Sequence, residues 1–205
     1  MSGQLELAPG KLAHPSGALW LVESGALLVA GAHLGYGWAQ HRRPDPAPAF
    51  DGGAHKRLGA LVEELKPKTL VLLGDPARAP HPAREWAGAF GRLRPLLVDE
   101  WRQGDVVALY GNLPKTPVPG GHILVFGHLR PFATIEDRTG VRRRLPAFLR
   151  SRRAIILPAF SPFSGGIDVT RGIPGELREL LGRGPVQVAL TTGRRVVPLQ
   201  LPGGG

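Results

Sequence analysis

Polar side chains follow four predicted β-strands at the points where those strands end. They are His33 after Ala26–Ala30, Asp75 after Thr69–Gly74, Asn112 after Val106–Tyr110 and His128 after His122–Phe126. Open α/β sheets bind ligands at the carboxyl ends of their strands, so these positions are candidate ligand contacts. Arg130, two residues after His128, adds a guanidinium, which binds phosphate through two parallel hydrogen bonds. The alternative is that these are ordinary turn residues, since Asp in particular is common in turns.

A second candidate site is a basic surface. The chain carries 26 Lys and Arg against 16 Asp and Glu, a net charge of +10. Such an excess attracts polyanions such as nucleic acid, although a compositional bias towards Arg gives the same total. The predicted nucleic-acid surface consists of Arg142, Arg143, Arg144, Arg152 and Arg153. A solvated edge strand, protected from pairing by its charges, also explains these arginines.

The composition limits the class of protein. The chain has 205 residues, 42% hydrophobic and 20% charged, which predicts one globular domain over residues 1–202 with a disordered tail at 203–205. It contains no cysteine, which excludes a disulfide framework, a thiolate metal site and a cysteine nucleophile. No basic segment followed by a long apolar run begins the sequence, so we expect a cytoplasmic protein without a membrane partner.

The elements that position the polar strand ends are read from hydrophobic periodicity. Ala18–Glu23 and Ala26–Ala30 predict a hairpin with a two-residue turn. Leu58, Leu61, Val62 and Leu65 predict a helix from Ala54 that stops at Pro67. The strand ending before Asp75 follows, which completes a βαβ unit.

The remaining pattern predicts further short elements. Strands are expected at Leu5–Leu7, Leu96–Val98, Val106–Tyr110, His122–Phe126, Phe132–Glu136, Arg142–Leu149, Ala154–Phe160 and Ile167–Thr170, with a last hairpin at Val186–Leu190 and Val196–Leu201. Short helices are expected around Trp86, Phe90 and Leu93 and after Pro174, and Asp99–Asp105 is expected to be a connection.

Three motifs resemble those of a known family. They are Val29–Gly35 (VAGAHLG), Gly127–Pro131 (GHLRP) and Pro158–Gly166 (PAFSPFSGG). In order and spacing the chain resembles the calcineurin-like metallophosphoesterases and, more narrowly, the bacterial ligase-associated DNA-damage-response phosphoesterases. The resemblance covers roughly residues 18–170 and implies an α/β (α+β) fold, a four-layer αββα sandwich of two facing mixed sheets flanked by helices.

The resemblance also implies a metal centre from which this chain departs. Family members hold two divalent metals bridged by an aspartate, which Asp75 matches, and activate water for in-line attack. In the family the first metal is held by an aspartate, a histidine, the bridging aspartate and a last histidine. Gly31 and Arg130 stand at the positions of the first aspartate and the last histidine, so only His33 and Asp75 remain as ligands. The second metal keeps Asp75 and His128, with Asn112 a poor substitute, and the motif that carries the catalytic histidine is absent.

These departures favour a degenerate phosphoesterase with lost or residual phosphodiesterase activity that binds a phosphate-bearing ligand, such as nucleic acid in DNA repair. His33, Asp75 and His128 would then be a vestigial metal site, and Arg130 and Asn112 an anion site. Arg130 would take the first metal's place and pair with Asp75, unless it turns out to solvent. No tightly bound cofactor is expected or, if any, one Mn or other divalent ion. The alternatives are an active metal-dependent phosphoesterase and a scaffold for a protein partner.

Overall fold

Two mixed β-sheets form the centre of the computed structural model, which describes residues 3–32, 52–74, 90, 93, 95–111, 118–161 and 165–200. Sheet A has six strands side by side in chain order: β1 (Leu5–Ala8), β2 (Lys11–Ala13), β3 (Leu19–Leu21), β4 (Ala26–Ala30), β5 (Thr69–Leu73) and β6 (Leu96–Val98). The strands from β1 to β4 pair antiparallel, whereas β4, β5 and β6 are parallel.

Sheet B contains the other eight strands. They are β7 (Glu100–Gln103), β8 (Val106–Leu109), β9 (Ile123–Phe126), β10 (Phe132–Glu136), β11 (Arg142–Arg150), β12 (Ala154–Ile156), β13 (Gln187–Thr191) and β14 (Val196–Leu199). The order across the sheet is β14-β13-β11-β12-β9-β8-β7, and β10 pairs with β11 outside this path. β8, β9 and β12 are parallel, so all three end at the same edge.

The helices of the described segments cover the two outer faces. Helix α1 (Gly52–Leu65) packs Leu58 and Leu61 against sheet A, and helix α2 (Gly175–Leu181) packs Leu177 and Leu181 against sheet B. A 3-10 helix at Val169–Arg171 precedes α2. Burying each leucine contributes about 1.5–3 kcal/mol, so the apolar stripes hold the helices in place. No helix in these segments is long and apolar enough to cross a bilayer.

Strand alternation divides the interior into three clusters. In β4 and β5, Leu28 and Val71 face the core between the sheets, while Leu27 and Leu70 face α1. Sheet B repeats the pattern, with one face in the inter-sheet core and the other against α2. Because successive side chains of a strand point to opposite faces, both faces of each sheet are apolar and covered. The layers are therefore helix, sheet, sheet and helix, which confirms the predicted four-layer αββα sandwich.

Three local predictions are wrong. Asp99–Asp105 was expected to be a connection, but it contains β7, a polar edge strand in which Glu100 and Trp101 are half-buried and Trp101 packs against the inter-sheet core. Ile167–Thr170 is not a strand, because the Asp168 side chain accepts from the Thr170 amide and initiates the 3-10 helix. The first hairpin is joined by four residues, 22–25, rather than two. The helix around Trp86 and the tail at 203–205 lie outside the described residues.

Candidate functional site

The two sheets approach each other closely at the carboxyl ends of β4, β5 and β9. A Cβ atom on Gly127, directly after β9, would lie 2.9 Å from the Ala30 Cβ and 3.0 Å from the Leu73 Cβ. Ala30 and Leu73 are the last residues of β4 and β5. Only glycine fits there, so the carboxyl ends of β4 and β5 lie together with the residue that follows β9.

His128 lies on the turn after β9 and packs against the end of β8. A Cβ on Gly111 would lie 3.2 Å from the His128 Cβ. The His128 ring meets the ring of Tyr110 edge-on, with 5.0 Å between centroids and an interplanar angle of 79°. His128 is exposed while Tyr110 is half-buried, so the imidazole is open to a ligand.

Arg130 turns its guanidinium back into this junction. Its Nη2 donates a 3.2 Å hydrogen bond to the Tyr110 hydroxyl, and its Nε lies 3.4 Å from the position of a Cβ on Gly31. The Nε atom is buried and has no hydrogen-bond partner within the described part of the chain. A buried donor without an acceptor costs about 1–3 kcal/mol, so this nitrogen would gain from an acceptor such as a phosphate oxygen.

The backbone of Arg130 has an unfavourable conformation, and the segment that contains Gly166 crosses it closely. Its φ is 50°, in the left-handed region that non-glycine residues rarely adopt. A Cβ on Gly166 would lie 1.9 Å from the Arg130 carbonyl oxygen, so only glycine fits at this position of the crossing segment. Asp168 holds this segment in place by accepting hydrogen bonds of 2.6 Å from the Thr134 and Thr170 hydroxyls. Although its burial alone would raise the pKa of Asp168, these hydrogen bonds lower it.

The first four residues of the PAFSPFSGG motif, 158–161, run beside the end of β4. The Phe160 amide donates to the Ala30 carbonyl at 2.8 Å, and the Ser161 amide donates to the Gly31 carbonyl at 3.1 Å. Arg57 of helix α1 donates to the Phe160 carbonyl and lies over the Phe160 ring, 4.5 Å from its centroid. Burial lowers the pKa of Arg57. Residues 159–161 of the motif thus line the junction that contains Arg130.

Three predicted site residues, His33, Asp75 and Asn112, lie outside the described residues. The pairing of Arg130 with Asp75 therefore stays a prediction. The structure does place the Arg130 Nε beside Gly31, 3.4 Å from the position of a Cβ on that glycine.

The five arginines of the predicted nucleic-acid surface lie at two different edges of sheet B. β11 is antiparallel to β12, and β12 is parallel to β9, so β11 begins at the edge where β9 ends. Arg142, Arg143 and Arg144 are therefore on the side of His128. Arg152 and Arg153 lie at the other end of β11, where the Arg153 carbonyl accepts from the Leu124 amide at 2.9 Å. At about 3.3 Å per residue, β11 separates the two groups by roughly 26 Å.

The three arginines near the site differ in their partners. Arg142 pairs with Glu136 at 2.9 Å, and Arg143 lies 3.7 Å from Asp137. Hydrogen bonds from the Thr139 side chain and amide lower the pKa of Asp137, which keeps it ionised opposite Arg143. Arg144 instead places its guanidinium 3.6 Å from the centroid of the Phe132 ring.

Gly31 and Arg130, at two positions where the resembled family has ligands of its first metal, cannot hold such an ion. Gly31 offers no carboxylate, and a guanidinium fills the space beside it. Hard divalent cations require oxygen or imidazole ligands, and a fixed positive charge repels them. Within the described ranges, no group of three or more His, Cys, Asp or Glu residues is arranged to hold a metal ion.

Sequence reasoning missed Tyr110 and Phe132 as site residues. Tyr110 is the last residue of a predicted strand, just before Gly111. The site residues were sought among the polar residues of the turns, and an aromatic residue at a strand end is not one of them. Phe132 begins β10 and was interpreted only as a strand residue. The side-chain alternation along β11 was predicted, but it does not indicate that the Arg144 side chain reaches diagonally across the hairpin to Phe132, which lies opposite Pro146.

The sandwich of two mixed sheets is shared with a solved structure. The chain is similar in fold to the nuclease MPE of Pseudomonas putida, with a TM-score of 0.65 and 22% sequence identity, covering 96% of this chain and 98% of that chain. No family model matches the chain, and no curated protein matches it.

Proposed function

We propose that this protein binds a phosphate-bearing ligand, nucleic acid in the first place, at the junction beside Arg130, with lost or residual phosphodiesterase activity. The observation that carries the proposal is the buried Arg130 Nε, which lies against Gly31 without a partner among the described residues. A phosphate oxygen is the acceptor that a guanidinium accommodates best.

Electrostatics support nucleic acid as the ligand. The net charge of +10 attracts polyanions over long range, and Arg142–Arg144 lie at the same edge of sheet B as Arg130. The P. putida protein of similar fold is described as a nuclease. Together with the resemblance to the ligase-associated phosphoesterases, this favours a DNA-repair context in the cytoplasm.

The arginine also explains why we propose weak or absent catalysis. With Gly31 and Arg130 at two ligand positions of the first metal, the chain lacks the carboxylate and imidazole that would hold the ion. His33, Asp75 and His128 are then a vestigial metal site, and Asn112 a neutral neighbour of the anion site. In this proposal Arg130 takes the place of the first metal and pairs with Asp75.

The second candidate function is an active phosphoesterase that uses one metal or Mn²⁺. The likeness to a nuclease over nearly the whole chain favours it. In that case Asp75 and His128 would hold the metal, which lowers the pKa of a bound water and polarises the phosphate.

Binding of a fluorescein-labelled oligonucleotide at low salt in EDTA tests the first candidate. We expect Arg130→Ala to weaken binding by about tenfold or more, the size of a lost charge-assisted hydrogen bond. The matched control is Arg183→Ala, which removes the same charge before β13. That strand runs parallel to β9, so Arg183 lies towards the edge opposite to the junction. Equal losses in the two variants, or no binding by the wild type, would contradict the proposal.

Hydrolysis of a phosphodiester with added Mn²⁺ separates the two candidates. The degenerate site predicts a rate near background. A Mn²⁺-dependent rate that Asp75→Asn abolishes would instead establish the metal-dependent enzyme.

A further inference from the structure

The hairpin of β10 and β11 extends beyond the rest of sheet B. Ala147–Arg150 pair with β13, and Leu149 and Arg150 also pair with β12. Arg142–Pro146 pair only with β10. The first half of β11 and all of β10 therefore form an arm, residues 132–146, at the edge of the sheet that carries the His128 turn.

One face of this arm is on the same side of sheet B as the candidate site. Phe148 belongs to the inter-sheet core, and strand alternation places Arg144 on its face. Phe132 lies opposite Pro146 and shares that face. Tyr110, the partner of Arg130, also packs against the inter-sheet core. The Phe132–Arg144 pair and the Arg130 guanidinium are thus on one side of sheet B.

Arg144 differs from its two neighbours in what it offers to a ligand. The charges of Arg142 and Arg143 are compensated by Glu136 and Asp137, whereas Arg144 makes no ion pair with any carboxylate of the described segments. Arg144 is exposed. The backbone of Phe132 is held in place, because its amide donates a 2.9 Å hydrogen bond to the Ile167 carbonyl. The outer face of a guanidinium stacked on a ring is a planar cation open to solvent.

We propose that the Phe132–Arg144 pair stacks the base of a nucleotide whose phosphate is bound by Arg130, an inference that rests on the proposed function. The Cα atoms of Arg130 and Phe132 are at most about 7 Å apart along the chain, a span that one nucleotide bridges. Bases stack on guanidinium planes and on aromatic rings, and every base has such a face. The arm then makes the site selective for nucleotides over phosphodiesters that lack a base.

The test compares two oligonucleotides of equal length and charge in EDTA, one with normal bases and one with abasic sugars throughout. We expect the wild type to bind the normal oligonucleotide about tenfold more tightly, the size of a base-stacking contribution. Arg144→Lys keeps the charge but has no planar face, so we expect it to lose this preference while its binding of the abasic oligonucleotide stays within about twofold.

The control on the same arm is Arg138→Ala, which removes an exposed charge in the turn between β10 and β11 and should leave the preference unchanged. Phe132→Leu keeps an apolar residue in the arm and should lower the preference without unfolding the protein, as checked by its melting temperature. Wild-type binding to both oligonucleotides with equal affinity, or a full preference in Arg144→Lys, would overturn the stacking role and leave the Arg130 site standing. No wild-type binding to either would overturn both.

Discussion

Gly127→Ala tests the close approach of the two sheets at the candidate site. The added methyl would lie 2.9 Å from the Ala30 Cβ and 3.0 Å from the Leu73 Cβ, whereas carbon atoms prefer about 3.5–4.0 Å. Neither neighbour can rotate away, because a Cβ atom is fixed to its backbone. The sheets must separate by several tenths of an ångström or more at this point.

The expected cost is that of overpacking a dense core, about 1–3 kcal/mol of unfolding free energy. For a chain of this size each kcal/mol lowers the melting temperature by about 2–4 °C, so the shift should be about 2–12 °C. Urea unfolding and thermal melting measure it. Since the His128 turn begins at this glycine, we also expect weaker oligonucleotide binding.

The matched control is Gly120→Ala, where an added Cβ meets nothing within 4 Å and no positive φ is required. That variant should unfold at the wild-type urea concentration or slightly above it, because alanine restricts the unfolded chain. If the two alanine variants are equally stable, the sheets are not in contact at Gly127, and the argument for the convergence of the strand ends fails.

Three further predictions concern the stability and the metal content of the protein. Asp105→Asn should lower the unfolding free energy by about 1–2 kcal/mol, as measured by urea unfolding. It leaves the buried Lys11 ammonium, which lies 2.8 Å from the Asp105 carboxylate, without its charged partner. Lys11→Met should lower the unfolding free energy less, because it removes the buried charge itself. Burial lowers the pKa of His14, and Glu64 opposes this shift. Because the unfolded chain then binds more protons than the folded one, the stability of the protein should fall as the pH drops below about 6.5. His14→Gln should remove this dependence in thermal melts between about pH 7.5 and pH 5.5. Elemental analysis of the purified protein should find fewer than two transition-metal ions per chain, and two Mn, Fe or Zn would contradict the role given to Arg130.

The four-layer fold was expected from the resemblance to the metallophosphoesterases, whereas its buried strands and its first helix could be predicted from local patterns. Leu70–Leu73 are apolar at every position, which requires cover on both faces of the strand, and the helix over 52–65 shows its apolar stripe in the sequence. The edge strand β7 could not be recognised, because Glu100–Gln103 is polar at three of four positions and buries none of its four residues fully. Asp168 was assigned to a strand because the β-branched residues around it mask a capping role that depends on its own side chain.

The candidate site was predictable in its motifs and not in its contacts. Gly31 and Arg130 were both conspicuous in sequence as departures from a pattern, and the structure places them side by side. The hydrogen bond from Arg130 to Tyr110 joins strand ends 20 positions apart, and the stack of Arg144 on Phe132 depends on a diagonal across a hairpin. Such pairings follow from register and side-chain direction, which a single sequence does not determine.

The arm of residues 132–146 also has a consequence for how this protein can change during evolution. Three residues of the arm, Ala133, Ile135 and Leu145, face the layer of helix α2 and pack into its apolar cluster. Substitutions at these positions are therefore limited by side-chain volume. Phe132 and Arg144 alternate with them along the same two strands but lie on the opposite face. Variation at these alternate positions can alter ligand preference while leaving the packing that anchors the arm intact, so one short hairpin separates selection for recognition from selection for folding.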